Sequence, residues 1–253
     1  MDKNKAISFK EAVYANSYPG RGIIVGNTPD GDSAVIAYFI MGRSPNSRNR
    51  VFVWENDELF TRPFDESKVD NPSLIIYTAI RRQGDHIIVS NGDQTDTICE
   101  GLRNGASFYE SLEKRTFEPD APNYTPRISA DLRTERAASS GNSVEGYESQ
   151  FAYSMSILKS KDADGTECIR CGWDYESEAG IGHFIHTYEH DGNPLPSFEG
   201  EPVCIQVSDA IDSFASEIWE ALDEDNRISL FVQFIDVKSG ISKFRLINKY
   251  SAK

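Results

Sequence analysis

The sequence has 253 residues, and its 26 Lys and Arg against 40 Asp and Glu give a formal net charge of -14. A chain this acidic is not expected to bind nucleic acid, because affinity for a phosphate backbone needs a broadly basic surface. The sequence lacks the ~20 consecutive apolar residues of a membrane span and an apolar signal core near its start, and its four cysteines do not suggest a secreted disulfide framework. We therefore expect a cytoplasmic protein with neither a nucleic-acid nor a membrane partner.

Basic residues are relatively concentrated in the first part of the chain. Residues 1–82 hold 11 Lys and Arg and 10 Asp and Glu, a net charge of +1, whereas the remaining 171 residues hold 15 and 30, a net charge of -15. A locally cationic region in an acidic protein suits a small anionic ligand better than a charged polymer.

Apolar periodicity and turn residues predict many strands and few helices. The strand patterns lie at 22–27, 33–41, 51–55, 73–81, 86–90, 150–159, 166–175, 182–189, 228–237 and 242–248. Helices are predicted from Asp93 or Thr95 to about Arg103, around 107–112, and with a clear apolar face over about 209–222. Residues 116–126, 137–148 and 189–202 predict loops. Antiparallel strands with helices in two separate blocks favour an α+β fold with two sheets covered by helices.

The segment 42–50 is the most informative stretch, because three arginines, two asparagines and two serines lie between two apolar strand patterns. Packing gives a loop between two buried strands no reason to hold three guanidiniums. Three like charges this close repel unless an anion lies among them, and planar guanidinium donors suit phosphate or carboxylate. A solvated loop tip is the alternative interpretation. A second basic element, Tyr18-Pro19-Gly20-Arg21-Gly22, precedes the first strand and favours the anion site.

Cys168-x2-Cys171 followed by His186-x3-His190 comes close to the spacing of a two-cysteine, two-histidine zinc site. Such a site places its histidines on a helix, whereas residues 182–189 alternate as a strand. We therefore expect no metal ion. The sequence has no Walker-type phosphate loop and no Gly-x-Gly-x-x-Gly element. It therefore gives no support for binding of a nucleoside triphosphate or a dinucleotide.

Five segments together identify a family. They are Tyr18-Pro19-Gly20-Arg21, the loop from Arg43-Ser44 to Asn49-Arg50, Tyr77 with Ile80-Arg81, Val89-Ser90-Asn91-Gly92-Asp93-Gln94-Thr95-Asp96-Thr97-Ile98, and Thr125-Pro126-Arg127-Ile128. In this order, over residues 18 to 128, they resemble the archaeal-type IMP cyclohydrolases and their bacterial relatives. The rest of the chain looks like the longer bacterial members.

The resemblance implies a fold and a reaction. The implied fold is a four-layer αββα sandwich of the N-terminal-nucleophile hydrolase type, in one domain over residues 1–253. An N-terminal nucleophile itself is not expected, because residue 2 is Asp2 and the earliest hydroxyl is that of Ser8. The implied reaction closes the purine ring of 5-formamidoimidazole-4-carboxamide ribonucleotide to IMP with loss of water, without a cofactor. The alternative is a catalytically silent purine-nucleotide-binding protein on the same fold, and a homo-oligomer is an assembly that either allows.

Carried over residue by residue, the resemblance implies catalytic roles for Arg50, Tyr77 and Glu118. Arg50 would stabilise the oxyanion that develops on the formyl group, Tyr77 would pass a proton, and Glu118 would serve as a proton shuttle. Asp120 competes with Glu118, because the spacing to the next motif needs a one-residue insertion. Arg48 is interchangeable with Arg50, because the loop carries extra residues. For Tyr77 the alternative is a packed strand tyrosine.

The resemblance also implies a set of substrate-binding residues, in which we expect two arginines to hold the 5′-phosphate. The two phosphate-binding residues are Arg21 and Arg43, and the others are Ser44, Asn91, Gly92, Asp93 and Arg127. Residues 90–92 precede a predicted helix, where exposed backbone amides bind an anion or a polar heterocycle. A simple turn before the helix is the alternative there.

Overall fold

The computed structural model describes residues 6–69, 76–134 and 151–250. In chain order the strands are β1 (Arg21–Asn27), β2 (Ser33–Met41), β3 (Val51–Glu55), β4 (Glu58–Arg62), β5 (Tyr77–Gln83), β6 (His86–Ser90), β7 (Arg127–Arg133), β8 (Ala152–Ser160), β9 (Cys168–Glu176), β10 (Ile181–His186), β11 (Val203–Gln206), β12 (Arg227–Asp236) and β13 (Ser242–Asn248). The helices are α1 (Phe9–Val13), α2 (Pro45–Arg48), α3 (Gln94–Arg103), α4 (Phe108–Leu112) and α5 (Ile211–Ala221).

The strands form two antiparallel sheets. Six strands form the first sheet in the order β11-β10-β1-β2-β12-β13, and seven form the second in the order β3-β4-β5-β6-β7-β8-β9. In the first sheet β1 and β2 are adjacent, and their register pairs Arg21 with Ile40. The start of β1 and the end of β2 therefore lie at the same edge, which brings the segment before β1 next to the loop after β2.

The two sheets pack face to face over one apolar core. Ile23 of β1 and Tyr38 of β2 belong to the same buried cluster as Phe52 of the second sheet. Because successive side chains of a strand point to opposite faces, Ile24 and Phe39 face the other side of the first sheet. Residues 34–41 are all buried, which explains why this stretch of sequence is apolar throughout rather than alternating.

Helices cover the outer faces of both sheets. Phe214 of α5 lies in one cluster with Phe39 of the first sheet, and α1 contributes to the same cluster. Ile98 of α3 and Leu112 of α4 lie in another cluster with Ile88 of the second sheet. The order through the molecule is therefore helices, sheet, sheet, helices. In the described part of the chain, none of the helices combines the length and the apolar character that a membrane crossing requires.

Most of the predicted strands and helices are present close to their predicted bounds. The strand predicted at 182–189 ends at His186, and the one predicted at 73–81 begins outside the described residues, with its described part continuing to Gln83. The loop predicted at 137–148 also lies outside the described residues.

Five of the strands and helices named above were not predicted from the sequence, namely β4, β7, β11, α1 and α2. The strand β4 is five residues long and follows a two-residue turn, in which Asn56 and Asp57 have φ of 53° and 60°. Positive φ at both central residues is what a type I′ hairpin requires, so the Asn-Asp pair was a readable signal. The helix α1 carries a capping box between Ser8 and Glu11, which is a second signal. The four residues of β11 follow a Pro- and Gly-rich loop and offer too short a pattern.

Two histidines of β10 are buried in the folded protein. The Nδ1 atom of His183 lies 2.7 Å from the hydroxyl of Tyr153, and Nδ1 of His186 donates to the carbonyl oxygen of Tyr188 at 2.9 Å. Burial lowers the pKa of each ring from 6.5 to about 4. Both rings are therefore neutral at pH 7 in the folded state.

We expect acid to destabilise the fold through these two rings. The unfolded chain binds a proton at each ring below pH 6.5, whereas the folded chain excludes it down to about pH 4. The free energy of unfolding therefore falls as the pH drops through this window, by about 2 kcal/mol per ring between pH 7 and pH 5. The amide of His186→Asn can still donate to Tyr188. In urea denaturation this variant should lose less unfolding free energy between pH 7 and pH 5 than the wild type does. His190→Asn, which changes an exposed ring, should keep the full loss, and equal losses in all three proteins would contradict the prediction.

Candidate functional site

A cavity of about 530 Å³ opens where β1 begins and β2 ends. Four residues of the predicted site line it, namely Arg21, Arg43, Ser44 and Arg50. The antiparallel register of β1 and β2 is the reason, because it brings Arg21 to the edge from which the loop 42–50 leaves. The cavity is thus the place where the two basic elements of the sequence meet.

At Gly20, just before β1, the backbone lies so close to neighbouring side chains that there is no room for a Cβ atom. Gly20 has a φ of +77°, and a Cβ at this position would lie 2.4 Å from Thr187 Oγ1 and 2.5 Å from the Tyr188 ring. Glycine is the residue that tolerates both the conformation and the close approach. The Tyr188 ring lies nearly parallel to that of Tyr18, with centroids 6.0 Å apart, and both rings line the cavity.

Two of the three loop arginines donate to backbone carbonyls of the loop and of the end of β2. Arg48 Nε donates to the carbonyl oxygen of Gly42 at 3.0 Å. Arg50 donates from Nε to the carbonyl oxygen of Ser47 and from Nη2 to that of Met41, both at 2.8 Å. These carbonyls need partners once they are buried. The structure therefore corrects the expectation that packing gives this loop no reason to hold three guanidiniums.

Arg43 differs from the other two, because its side chain lines the cavity and remains 34% exposed. Its guanidinium pairs with the carboxylate of Asp191 and donates to the carbonyl oxygen of Gly192 at 2.9 Å. It also lies over the ring of Tyr18, 4.9 Å from the centroid. The neighbouring Ser44 also lines the cavity, and its side chain caps α2. Asp191 therefore offsets part of the positive charge of the loop.

Arg21 joins the cavity to two of the predicted catalytic residues. Its Nη1 donates to Glu118 Oε1 at 2.9 Å, and the two side chains are 12% and 4% exposed. Burial opposes the charge on Arg21, but Glu118 and nearby tyrosines, led by Tyr77, outweigh it and raise the pKa of Arg21 well above its ordinary value. Burial also raises the pKa of Glu118, and the charge of Arg21 offsets only part of this rise. A carboxyl group with a raised pKa beside a fixed cation is suited to proton exchange.

Tyr77 is 6% exposed, and its hydroxyl oxygen lies 2.7 Å from that of Tyr38. The charges of Arg21 and Arg50 both act on this pair of phenols. Burial, and then the like charge of Arg21, lower the pKa of Arg50, although a guanidinium stays protonated at neutral pH. Arg21, Arg50, Tyr77 and Glu118 thus form one buried polar cluster beside the cavity, in which the three predicted catalytic residues come together.

Asp120, the competitor of Glu118, lines the cavity, but its own loop occupies its carboxylate. Thr125 donates to it from the backbone N–H at 2.7 Å and from Oγ1 at 2.5 Å. The hydroxyl of Tyr188 lies 2.6 Å from Thr125 Oγ1. Because the Thr125 hydroxyl has a single proton, which goes to Asp120, Tyr188 is the donor to Thr125. Asp120 therefore fixes the loop 120–125, whereas Glu118 belongs to the buried cluster.

The segment 90–92 forms a buried turn before α3. Asn91 donates from Nδ2 to the carbonyl oxygen of Pro126 at 2.8 Å and accepts from the backbone N–H of Ile128 at 2.9 Å. Ser90 Oγ lies 2.5 Å from Thr95 Oγ1. The contacts of Asn91 in this structure are thus with the protein's own backbone and with neighbouring side chains.

Gly92, Asp93 and Arg127 lie beside the buried cluster rather than in the walls of the cavity. Arg127 Nη1 donates to Asp93 Oδ1 at 2.6 Å and to Gln94 Oε1 at 2.8 Å. A Cβ on Gly92 would lie 2.7 Å from Arg127 Nη1 and 3.5 Å from Glu118 Oε1. These three residues are therefore linked to the cavity through Glu118, whose ion-pair partner Arg21 lines it.

The sequence analysis did not single out Tyr38, Tyr188 or Asp191 as site residues. Tyr38 had a readable signal, because a phenol in an otherwise apolar strand needs a hydrogen-bond partner once it is buried. Asp191 and Tyr188 lie far along the chain from the loop 42–50, and no local pattern connects them to it.

The cysteine–histidine pattern does not converge on one point. Cys168 packs against the cluster beneath α3 and α4, whereas Cys171 packs against the core between the sheets. His186 is buried and His190 is exposed. Within 6–69, 76–134 and 151–250, no group of three or more His, Cys, Asp and Glu is placed to hold a metal ion. The two cysteines face opposite sides of β9, as the alternation of a strand requires.

Comparison with known proteins identifies the family. The family described as IMP cyclohydrolase-like protein matches residues 18–240. An IMP cyclohydrolase of Methanothrix thermoacetophila is 34% identical over 191 residues, which are 72% of this chain and 80% of the relative. IMP cyclohydrolases of Methanopyrus kandleri and Methanococcus maripaludis are 31% identical over 151 residues (58% of this chain, 72% of the relative) and 26% identical over 190 residues (70% and 92%). The chain therefore belongs to the IMP cyclohydrolase-like protein family.

Proposed function

We propose that this chain is an IMP cyclohydrolase, which closes the purine ring of 5-formamidoimidazole-4-carboxamide ribonucleotide to IMP with loss of water in purine biosynthesis. The observation that carries the proposal is the buried cluster of Arg21, Glu118 and Tyr77 beside an arginine-lined cavity, in a chain whose relatives carry this name. The cavity, about 530 Å³, lies within the usual range of small-molecule sites, about 300–1,000 Å³.

We also propose that the layered fold is a four-layer αββα sandwich of the N-terminal-nucleophile hydrolase type, in one domain. The shared core between the sheets and the helices on both outer faces support this. The proposed reaction needs no N-terminal nucleophile, because both reacting groups belong to one substrate. The reaction therefore needs orientation and proton transfer rather than a covalent intermediate.

Arg43 is the residue we assign to the 5′-phosphate of the nucleotide. It is the most exposed of the three arginines that line the cavity. A guanidinium fork also suits a phosphate. The sequence analysis gives Arg21 the same role, but its ion pair with Glu118 supports a place nearer the reacting groups. Arg50 lies next to Arg21 and is assigned to the oxygen of the formyl group.

In the proposed reaction the carboxamide nitrogen attacks the formyl carbon. The formyl oxygen takes a proton from Tyr77, Glu118 takes a proton from the attacking nitrogen, and Arg50 stabilises the charge that develops on the oxygen. In the second half, Glu118 passes its proton to the leaving hydroxyl, which departs as water. Tyr77 regains a proton from the former formamide nitrogen. Both residues return to their starting states, so the cycle closes without a cofactor.

Purified protein is expected to convert the formamido-imidazole ribonucleotide to IMP without added cofactor. The appearance of IMP is followed by chromatography, and Glu118→Gln protein serves as the matched control for contaminating activity. Saturable binding of IMP with no turnover above that control would contradict the proposal and support a catalytically silent nucleotide-binding protein.

The three loop arginines are expected to separate in their kinetic effects. Arg43→Gln should raise KM about tenfold with little change in kcat, because a phosphate contact is shared by the ground state and the transition state. Arg50→Gln should mainly lower kcat. Arg48→Gln is the matched control, because Arg48 bonds to the loop backbone without lining the cavity. A rise in KM of the same size in all three variants would mean that the loop contributes only a general positive charge.

The two competing carboxylates are expected to differ in their effects on kcat. Glu118→Gln keeps the shape of the side chain but removes the proton-accepting group and the charge that compensates Arg21. We expect kcat to fall about 100-fold in a protein destabilised by about 3–5 kcal/mol, while the folded protein retains its affinity for IMP. Asp120→Asn should cost about 1 kcal/mol of stability and change kcat only a few-fold, because Asp120 holds its own loop. Melting temperatures and steady-state kinetics of both variants test this, and a larger loss of kcat in Asp120→Asn would reverse the assignment.

A further inference from the structure

Tyr38 is fully enclosed in the middle of β2, with its side chain 0% exposed. Its ring stacks on that of Phe52, with centroids 5.2 Å apart. Its hydroxyl oxygen lies 2.7 Å from that of Tyr77, the single hydrogen-bond partner found for it in the described part of the chain. Burial is the main cause that raises the pKa of Tyr38 well above its ordinary value, so this hydroxyl keeps its proton at physiological pH.

The enclosure of Tyr38 decides which of the two phenols donates. If Tyr77 donated, the proton of Tyr38 would be buried without an acceptor, which costs more than a hydrogen bond contributes. Tyr38 is therefore the donor and Tyr77 the acceptor. The guanidiniums of Arg21 and Arg50, which act on this pair, have no acceptor atoms and cannot take the Tyr77 proton. Among the described residues, Tyr38 is the one hydrogen-bond partner found for the Tyr77 hydroxyl, so the Tyr77 proton is available to a substrate group that reaches the buried cluster beside the cavity.

We propose that Tyr38 is a positioning residue, which holds the oxygen of Tyr77 by donating to it and so directs the Tyr77 proton to the formyl oxygen of the substrate. This inference rests on the proposed cyclohydrolase function. When the new C–N bond forms, the π electrons of the formyl C=O move to its oxygen, which takes the Tyr77 proton. The resulting phenolate keeps the hydrogen bond from Tyr38 and regains a proton when water is eliminated. Tyr38 itself exchanges no proton with the substrate.

A matched pair of Tyr→Phe variants separates positioning from simple stability. Tyr38→Phe removes the donor to Tyr77. Tyr153→Phe removes an equally buried phenol of the same core, 1% exposed, whose hydroxyl bonds to His183 Nδ1 at the same distance of 2.7 Å. Both variants should lose similar stability in urea denaturation. Only Tyr38→Phe should lose kcat, about tenfold, with KM unchanged, because the lost bond stabilises charge that develops in the transition state.

A double-mutant cycle with Tyr77→Phe completes the test. If Tyr38 acts only through Tyr77, adding Tyr38→Phe to Tyr77→Phe should cause no further loss of kcat. Equal kcat values for Tyr38→Phe and Tyr153→Phe, or an additive loss in the double variant, would overturn the inference while leaving the cyclohydrolase function in place. A wild-type protein without turnover would instead overturn the proposed function. If Tyr38→Phe fails to fold, 3-fluorotyrosine at position 38, whose hydroxyl is a stronger donor on a ring of nearly the same size, replaces it. A higher kcat at unchanged KM is then the expected result, and an unchanged kcat would overturn the inference.

Discussion

The buried ion pair between Arg21 and Glu118 is the interaction on which the site depends. Arg21 begins β1 of the first sheet, and Glu118 lies in the segment that leads into β7 of the second sheet, so the pair links the two sheets beside the cavity. A pair this buried adds little net stability, but removing either partner leaves an uncompensated charge that costs about 3–5 kcal/mol. Its value to the protein is thus positional, because the two charges hold each other in place.

The loop 42–50 shows how an acidic protein can maintain a cationic site. Two guanidiniums satisfy carbonyl oxygens of the loop and its flanking strand, so their charges are anchored by the fold itself. The third, on Arg43, faces Asp191 across the cavity edge. An anion that enters the cavity therefore meets donors that are already fixed, and little side-chain freedom has to be lost when it binds.

The sequence was most informative where neighbours in the chain are also neighbours in space. The strands β1 and β2 follow from apolar runs around a turn, and their pairing is enough to bring Arg21 to the arginine loop. By contrast, the partner of Arg43 is Asp191, and the partner of Tyr77 is Tyr38 on the other sheet. Such contacts depend on how two sheets stack and are not encoded in a local period. The competition between Glu118 and Asp120 was open for the same reason, because their difference lies in burial and partners rather than in residue type.

The hydrogen bonds from Tyr188 to Thr125 and from Thr125 to Asp120 run in one direction, since each hydroxyl has a single proton to give. The oxygen of Tyr188 therefore has lone pairs but no free proton, and this side of the cavity accepts hydrogen bonds. The guanidiniums of the arginines that line the cavity can only donate them. A ligand with an anionic end and a hydrogen-donating end matches this polarity in one orientation, and the reversed orientation would set donor against donor. The cavity thus selects the orientation of such a ligand as well as its shape.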